Sequence, residues 1–117
     1  MNNIKLYEEF INENYGIISK GDYPSFYITF NNKTIGEIDF NDADDNFLNI
    51  LSVEITENGK NHYYNFLKNS RTLLNDYSGI ISRKSRNDTT NHIWSKLLKD
   101  GTATIDKSNK NNYKIIF

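Results

Sequence analysis

Three side chains in the middle of the sequence have the chemistry of a general base. Glu54, Glu57 and His62 lie close together along the chain. A carboxylate or an imidazole beside a cleft can accept a proton from a substrate amine. The plainer interpretation places the two glutamates at the polar end of a strand and His62 on the surface. The second histidine, His92, is expected to be exposed on a helix.

A short basic cluster is the most evident anion-binding feature. Arg83, Lys84 and Arg86 follow one another closely and together could hold a phosphate or an acidic partner. In a chain whose formal net charge is -1, such a run is more typical of a solvated strand end. Both interpretations stay open from the sequence.

No metal site is predicted. Asp42, Asp44 and Asn46 have the one-three-five spacing of a calcium loop. The sixth and twelfth positions of that loop, however, are Phe47 and Val53 rather than glycine and glutamate. The segment is therefore interpreted as a solvated turn. The absence of cysteine excludes a disulfide framework and a thiolate metal site.

The length and charge limit the class of protein. A chain of 117 residues suits a single domain spanning residues 1–117. The near-neutral charge gives no basic field for a phosphate backbone, so nucleic acid is not the expected partner. The start, MNNIKLYEEFINENYG, mixes charges into its apolar residues, so neither a secretion signal nor a membrane span is expected. We expect a cytoplasmic protein.

Alternation and helical spacing predict the elements that would position these side chains. Apolar residues at helical spacing predict a first helix over residues 3–15, which Gly16 ends. The sequence FYITFNNKTIGEIDF, residues 26–40, predicts a β-hairpin with a tight turn at its two asparagines. The segment FLNILSVEIT, residues 47–56, carries apolar side chains on both faces, which predicts a central strand covered on both sides.

The second half of the chain predicts a crossover and a second hairpin. An apolar stripe over residues 60–77 predicts the longest helix, and residues 79–83 predict a short strand. Asn87 or Asp88 is suited to cap a last helix that Gly101 ends. The tail then predicts a terminal hairpin. A strand–helix–strand crossover beside hairpins predicts an α/β (α+β) fold with a mixed sheet.

The segment VEITENGKNHYYNFL, residues 53–67, resembles the acyl-CoA loop of the GNAT superfamily of N-acetyltransferases. The family's text there is V-x-x-x-x-R-G-K-G-x-G-x-x-L-L, and this chain agrees with it at Val53, Gly59, Lys60 and Leu67. In such a loop, glycine main chain and the free amides of a helix start can hold a pyrophosphate.

Two further segments extend the resemblance over residues 26–117. NDTTNHIWSKL resembles the family's N-x-x-A-x-x-L/I-Y-x-K-L, agreeing at Asn87, Ile93, Lys96 and Leu97. The predicted hairpin resembles the family's two strands with a glycine in the second. The resemblance implies a three-layer fold with a mixed, mostly antiparallel sheet and helices on both faces. The first strand that most members possess is not found in the sequence.

The resemblance also implies where acetyl-CoA would bind and which groups would act on it. The base would be Glu54, Glu57 or His62. If the coenzyme is bound, the residues expected to contact it are Val53, Ile55, Asn58, Gly59, Lys60, Asn61, His62, Tyr63 and Asn87.

Four of the departures from the family pattern affect the expected chemistry. Asn58 occupies the position of an arginine or glutamine, and Asn61 and Tyr63 occupy the positions of two glycines. Trp94 takes the place of the tyrosine that protonates the leaving thiolate, and an indole N–H only donates hydrogen bonds. That change predicts the loss of a factor of ~10² to 10⁴ where such an acid is used. Tyr63 also lies on the apolar stripe four residues before Leu67, so core packing is its plainer interpretation.

These departures favour a GNAT-like domain without catalysis that binds another protein. Nineteen asparagines, and eleven lysines against three arginines, are typical of an A+T-rich genome, which suggests a phage or mobile-element regulator of a host process. No cofactor is expected under this hypothesis, and Trp94 with the tyrosines would mark a binding face. The alternative is an acetyl-CoA-dependent N-acetyltransferase that acts without the tyrosine acid. A nucleic-acid binder using residues 83–86 would show affinity falling steeply with salt.

Overall fold

A computed structural model describes residues 15–21, 24–57, 61–84 and 87–117. The described strands form one sheet of seven in the order β1-β2-β3-β4-β5-β7-β6. Their bounds are β1 (Tyr15–Ser19), β2 (Ser25–Phe30), β3 (Lys33–Ala43), β4 (Phe47–Ile55), β5 (Gly79–Arg83), β6 (Thr104–Ile105) and β7 (Asn112–Ile116).

Three α-helices lie within the described ranges: α1 (His62–Lys68), α2 (Ser70–Leu73) and α3 (Asp88–Lys99). β4 and β5 are parallel neighbours, and every other neighbouring pair in the sheet is antiparallel. The predicted α+β class with a mixed, mostly antiparallel sheet is therefore confirmed. No helix in the described part of the chain is both long enough and apolar enough to cross a membrane.

Both predicted hairpins are present. Asn31 and Asn32 join β2 to β3 with φ of 53° and 66°, the left-handed pair that a two-residue hairpin turn requires. β6 and β7 form the terminal hairpin, and β7 lies between β5 and β6. Asn87 caps α3 as predicted, because its side-chain oxygen accepts hydrogen bonds from the amides of Thr89 and Thr90. Gly101 follows that helix with φ of 84°.

A strand precedes the first hairpin, so the expected absence of a first strand is wrong. β1 pairs antiparallel with β2 from Tyr15 opposite Phe30 to Ser19 opposite Phe26. Residues 3–14 of the helix predicted over residues 3–15 lie outside the described residues, while Tyr15 and Gly16 belong to β1. Tyr15 and Ile17 alternate with Gly16, which is the period of a strand, although Tyr15 also fits the end of a helical stripe. The prediction that Tyr15 is helical is therefore wrong.

The described helices pack on one face of the sheet, which we call the helical face. The ring of His62 in α1 lies 4.8 Å from that of Phe30, and the ring of Trp94 in α3 stacks on Tyr113 at 5.3 Å. Residues of α2 and its C-terminal turn share a hollow with Ile17 and Phe26 of the first two strands. The fully buried strand residues of this face are Ile28, Ile38, Leu48 and Ile80.

The opposite face carries polar cross-strand pairs, and we call it the open face. Asn49 Nδ2 donates to Asn41 Oδ1 at 3.0 Å, and Ser52 Oγ donates to Asp39 Oδ2 at 2.9 Å. No helix among the described residues covers these pairs, so the prediction of helices on both faces is wrong for this part of the chain. A solvated second face is common in antiparallel sheets.

The predicted long helix over residues 60–77 is broken in two. Asn69 has φ of -96° and ψ of 0° between α1 and α2. Its side chain donates to the Asn65 carbonyl at 2.8 Å, and the Ser70 hydroxyl donates to the Leu67 carbonyl at 2.6 Å. Such local bonds compete with the helical pattern. The apolar stripe continues through the break to Leu74, and hydrophobic spacing alone therefore did not show it.

A polar link joins α1 to the end of α3. The Tyr64 hydroxyl donates to Asp100 Oδ2 at 2.6 Å, and Lys68 Nζ lies 3.3 Å from the same oxygen. Burial by itself raises the pKa of the Asp100 carboxyl, but bonds from Thr102, Tyr64 and Lys68 outweigh that effect and hold the pKa below its ordinary value of 3.8. The charged form of Asp100 is thus favoured in the folded state.

The link predicts a small loss of stability in acid. Because the folded-state pKa is depressed, the contribution of Asp100 is fully present above its unfolded pKa and is lost progressively as the pH falls from there through the lower folded-state pKa. Asp100→Asn should therefore be less stable than the natural chain at neutral pH, by less than about 1 kcal/mol, and the difference should be smaller at pH 2, where part of the contribution is already lost. Urea unfolding at both pH values measures this, with Asp44→Asn in the exposed β3–β4 turn as the control. A difference that does not shrink in acid would contradict the prediction.

Candidate functional site

β4 and β5 separate along their length, and the gap between them is the candidate site. Their parallel pairing covers only Phe47 to Asn49 against Gly79 to Ile81. Immediately beyond, the β3–β4 register shifts so that Ser52 faces Asp39 while Ile50 faces Phe40. Leu51 is the extra residue of this β-bulge. A bulge bends its strand and can end pairing, which accounts for the separation.

The separated strands enclose a cleft of about 390 Å³. Two cationic side chains, Arg83 and Lys84, lie at its β5 side, and α3 closes one end through Thr90. Among the described residues that line it, none is acidic. These residues are Asn49, Ile50, Leu51, Ser52, Val53, Tyr63, Ser82, Arg83, Lys84 and Thr90. An anionic or hydrogen-bonding ligand is the chemical match for this lining.

Asn61 has a left-handed backbone immediately before α1. Its φ is 53° and its ψ is 38°, in the region that asparagine adopts more readily than most residues. The neighbouring loop residues Asn58, Gly59 and Lys60 lie outside the described residues.

Tyr63 packs into the core, as its plainer interpretation predicts. It is 7% exposed and contributes to the inner wall of the cleft. Burial raises the pKa of its hydroxyl to about 12, while the nearby Trp94 offsets part of that rise. Because the ring turns toward α3, it narrows the cleft from one side and leaves the space between the strands open.

Trp94 is fully buried, which corrects the expectation that it marks a binding face. Its exposed fraction is 0%, and its ring lies nearly parallel to that of Tyr113, with an interplanar angle of 11°. Its Nε1 has no hydrogen-bond partner of ordinary geometry among the described residues. The indole therefore acts as packing between α3 and β7.

His62 is buried on the far side of α1 from the cleft, so its expected surface position is wrong. Its side chain is 1% exposed. The Tyr15 hydroxyl and His62 Nδ1 are hydrogen-bonded at 2.8 Å, with the donor set by the imidazole tautomer. Burial raises the pKa of the Tyr15 hydroxyl. His62 Nε2 then faces Glu57 Oε1 at 3.7 Å. The imidazole links β1 to the end of β4.

The two glutamates do not converge on the cleft either. Glu54 is exposed and pairs with Glu37 on the open face. Glu57 lies between His62 and Lys33, whose Nζ is 3.7 Å from its Oε2. His92 is exposed on α3 as expected. The structure therefore brings Glu57 and His62 together, and neither they nor Glu54 line the cleft.

The remaining sequence-predicted coenzyme contacts divide between the cleft and other roles. Val53 lines the cleft, whereas Ile55 is half-buried opposite Gly36. Asn87 is engaged in capping α3. Of the basic cluster, Arg83 and Lys84 line the cleft, and Arg86 lies outside the described residues.

Sequence reasoning missed the polar cleft residues Asn49, Ser52 and Ser82. A signal was present in LNILSVEI, residues 48–55. Its apolar residues lie at even-numbered positions up to Ile50 and at odd-numbered positions from Leu51 onward. An uninterrupted strand would place Leu48 and Val53 on opposite faces, whereas the bulge returns both to the helical face. The prediction that β4 is covered on both faces is wrong for the same reason, and Leu51 is 61% exposed.

We expect Tyr15→Phe to lower the free energy of unfolding, because the Tyr15 hydroxyl is hydrogen-bonded to the buried His62. Removing the hydroxyl leaves His62 Nδ1 without its partner, at a cost of about 1–3 kcal/mol. Urea unfolding measures the change. Tyr27→Phe, at an exposed position of β2, is the matched control and should stay within about 0.5 kcal/mol of the natural chain. Equal effects of the two substitutions would contradict a structural role for this bond.

Within the described residues, no group of three or more histidine, aspartate or glutamate side chains is arranged to hold a metal ion. Compared with known proteins, the chain matches no protein-family model and shows no significant similarity to a curated protein.

Proposed function

We propose that this chain is a GNAT-like domain that has lost acetyl transfer and binds a partner protein instead. From β2 onward, the described order of three strands, helices, a strand, a helix and a terminal hairpin agrees with the order on which the family resemblance over residues 26–117 rests. The parallel β4–β5 pair with a cleft beside it also supports a GNAT-like domain. Fold alone does not assign activity, so the proposal depends on the site.

One observation carries the loss of catalysis: the three candidate bases lie off the cleft. Glu54 is on the open face, while Glu57 and Tyr15 flank the buried His62. A general base must come within about 3 Å of the proton it takes, directly or through one water. At the position where the family has its tyrosine acid, Trp94 is packed at 0% exposure and has only an N–H to donate.

Partner binding is supported by what the cleft does contain. It offers hydrogen-bonding side chains and two cations with no lining carboxylate. Arginine is also among the residues enriched in the energetic centres of protein interfaces. We propose a small cytoplasmic regulator, encoded by a phage or mobile element, as the biological setting that agrees with the composition.

The test is an assay of coenzyme A release from acetyl-CoA with a panel of peptide and small-molecule amines. The proposal predicts no thiol release above the rate without protein. Micromolar binding of acetyl-CoA together with turnover on any amine would overturn it.

A second candidate, acetyl-CoA-dependent N-acetyltransferase, is favoured by one specific observation. That observation is the cleft itself, which is open although Tyr63 lines it. This candidate predicts stabilisation by acetyl-CoA of ~2.7 kcal/mol at ~100 times its dissociation constant. No shift of the unfolding temperature at millimolar acetyl-CoA would exclude it.

A further inference from the structure

The backbone edges of β4 and β5 beside the cleft are not accounted for by strand pairing among the described residues. Beyond Asn49, the described strands offer no partner to the β5-facing edge of β4. On β5, Ser82 and Arg83 pair with β7 on their other side but have no β4 partner. Two strand edges therefore face each other across the cleft, and their amides and carbonyls are not paired to a strand in the described part of the chain.

We propose that the cleft binds an extended, acidic peptide segment of a partner as an added strand between β4 and β5. This inference rests on the proposed protein-binding function and specifies its mode. An extended chain presents alternating donors and acceptors, and strand insertion into a sheet is an established recognition mode. Because a strand advances about 3.3 Å per residue, the free edge Ile50–Val53 accommodates a segment of about four residues.

The charge of the cleft selects the side chains of that segment. Arg83 and Lys84 are both exposed, and no lining residue is acidic. Lys84 Nζ lies 5.7 Å from the centre of the Tyr113 ring, which holds it beside the cleft. Carboxylates on the inserted peptide would meet these cations, whereas a basic peptide would be repelled.

The experiment uses two blocked pentapeptides, acetyl-Val-Glu-Val-Glu-Val-amide and its lysine counterpart, titrated into the full chain labelled for NMR. The acidic peptide should shift the amide resonances of residues 50–53 and 82–84 in a saturable way. Its affinity should exceed that of the lysine peptide by at least about tenfold, equivalent to about 1.4 kcal/mol.

Charge-reversal variants distinguish peptide binding in the cleft from nonspecific electrostatic attraction to the protein surface. Arg83→Glu should weaken the acidic peptide by at least about tenfold, whereas Lys107→Glu in the β6–β7 turn is the matched control and should leave the affinity unchanged. Both positions are exposed, so both variants should fold. Four results would each overturn the inference. The first two are equal weakening by the two variants and equal affinity for the two peptides. The other two are shifts confined to other residues and no shift at millimolar peptide.

The result is distinguishable from a failure of the proposed function. Acetyl-CoA turnover would remove the non-catalytic proposal whatever the peptides do. Absence of peptide binding without turnover would leave a binding module that uses another surface and would overturn strand insertion alone.

Discussion

Trp94→Ala should lower the free energy of unfolding by about 3–5 kcal/mol, the range for deleting a large buried aromatic side chain. Trp94 is the largest of the fully buried side chains, and its ring stacks on Tyr113 between α3 and β7. Its loss leaves a cavity that α3 and the sheet can close only in part. Urea unfolding followed by circular dichroism measures the change, and the variant should be largely unfolded if the natural chain has only ordinary marginal stability.

Trp94→Phe distinguishes packing from hydrogen bonding. The Nε1 group has no partner of ordinary geometry among the described residues, so a phenyl ring should recover a large share of the lost stability. A loss in Trp94→Phe as large as that in Trp94→Ala would contradict the packing role and would show that the indole N–H is needed.

Gly36→Val is expected to be strongly destabilising. Gly36 in β3 pairs with Ile55 of β4, and a Cβ at Gly36 would overlap the backbone carbonyl of Glu54 and lie 3.0 Å from the Ile55 Cα. Because those atoms belong to the main chain of β4, relief requires the strand itself to move. The cost should be at least about 1–3 kcal/mol, measured by urea unfolding.

Gly16→Ala is the matched control for that steric argument. A Cβ at Gly16 would approach the Thr29 hydroxyl at 2.8 Å, a side-chain atom that can move more easily than main chain. The control should therefore cost clearly less than Gly36→Val. Equal losses would contradict the view that Gly36 sets the close approach of β3 to β4 and hence the position of the cleft wall.

Local signals in the sequence were sufficient for much of the fold. The asparagine pair at residues 31 and 32 required a tight turn, and it joins β2 to β3. The start and end of the last helix were correctly predicted from Asn87 and Gly101, because caps depend on side chains within a few residues. The burial of Tyr63 also followed from its spacing to Leu67 on the apolar stripe.

Features that depend on contacts distant in sequence were not predictable in the same way. The bulge at Leu51 arises from pairing with β3, and it determines both the faces of β4 and the opening of the cleft. The burial of His62 depends on Tyr15 and Phe30, which are more than thirty residues away in the chain. The broken helix at Asn69 depends on side-chain bonds that a hydrophobic stripe does not report.

The central claim is that the cleft between β4 and β5 binds a partner without acetyl transfer, because the three candidate bases Glu54, Glu57 and His62 lie elsewhere. The most direct measurement is an NMR titration with acetyl-CoA in which coenzyme A release is followed in the same sample with an amine acceptor present. We predict that no thiol is released at millimolar acetyl-CoA, whatever weak shifts occur along residues 50–53. Saturable shifts of those amides accompanied by steady thiol release would contradict the claim.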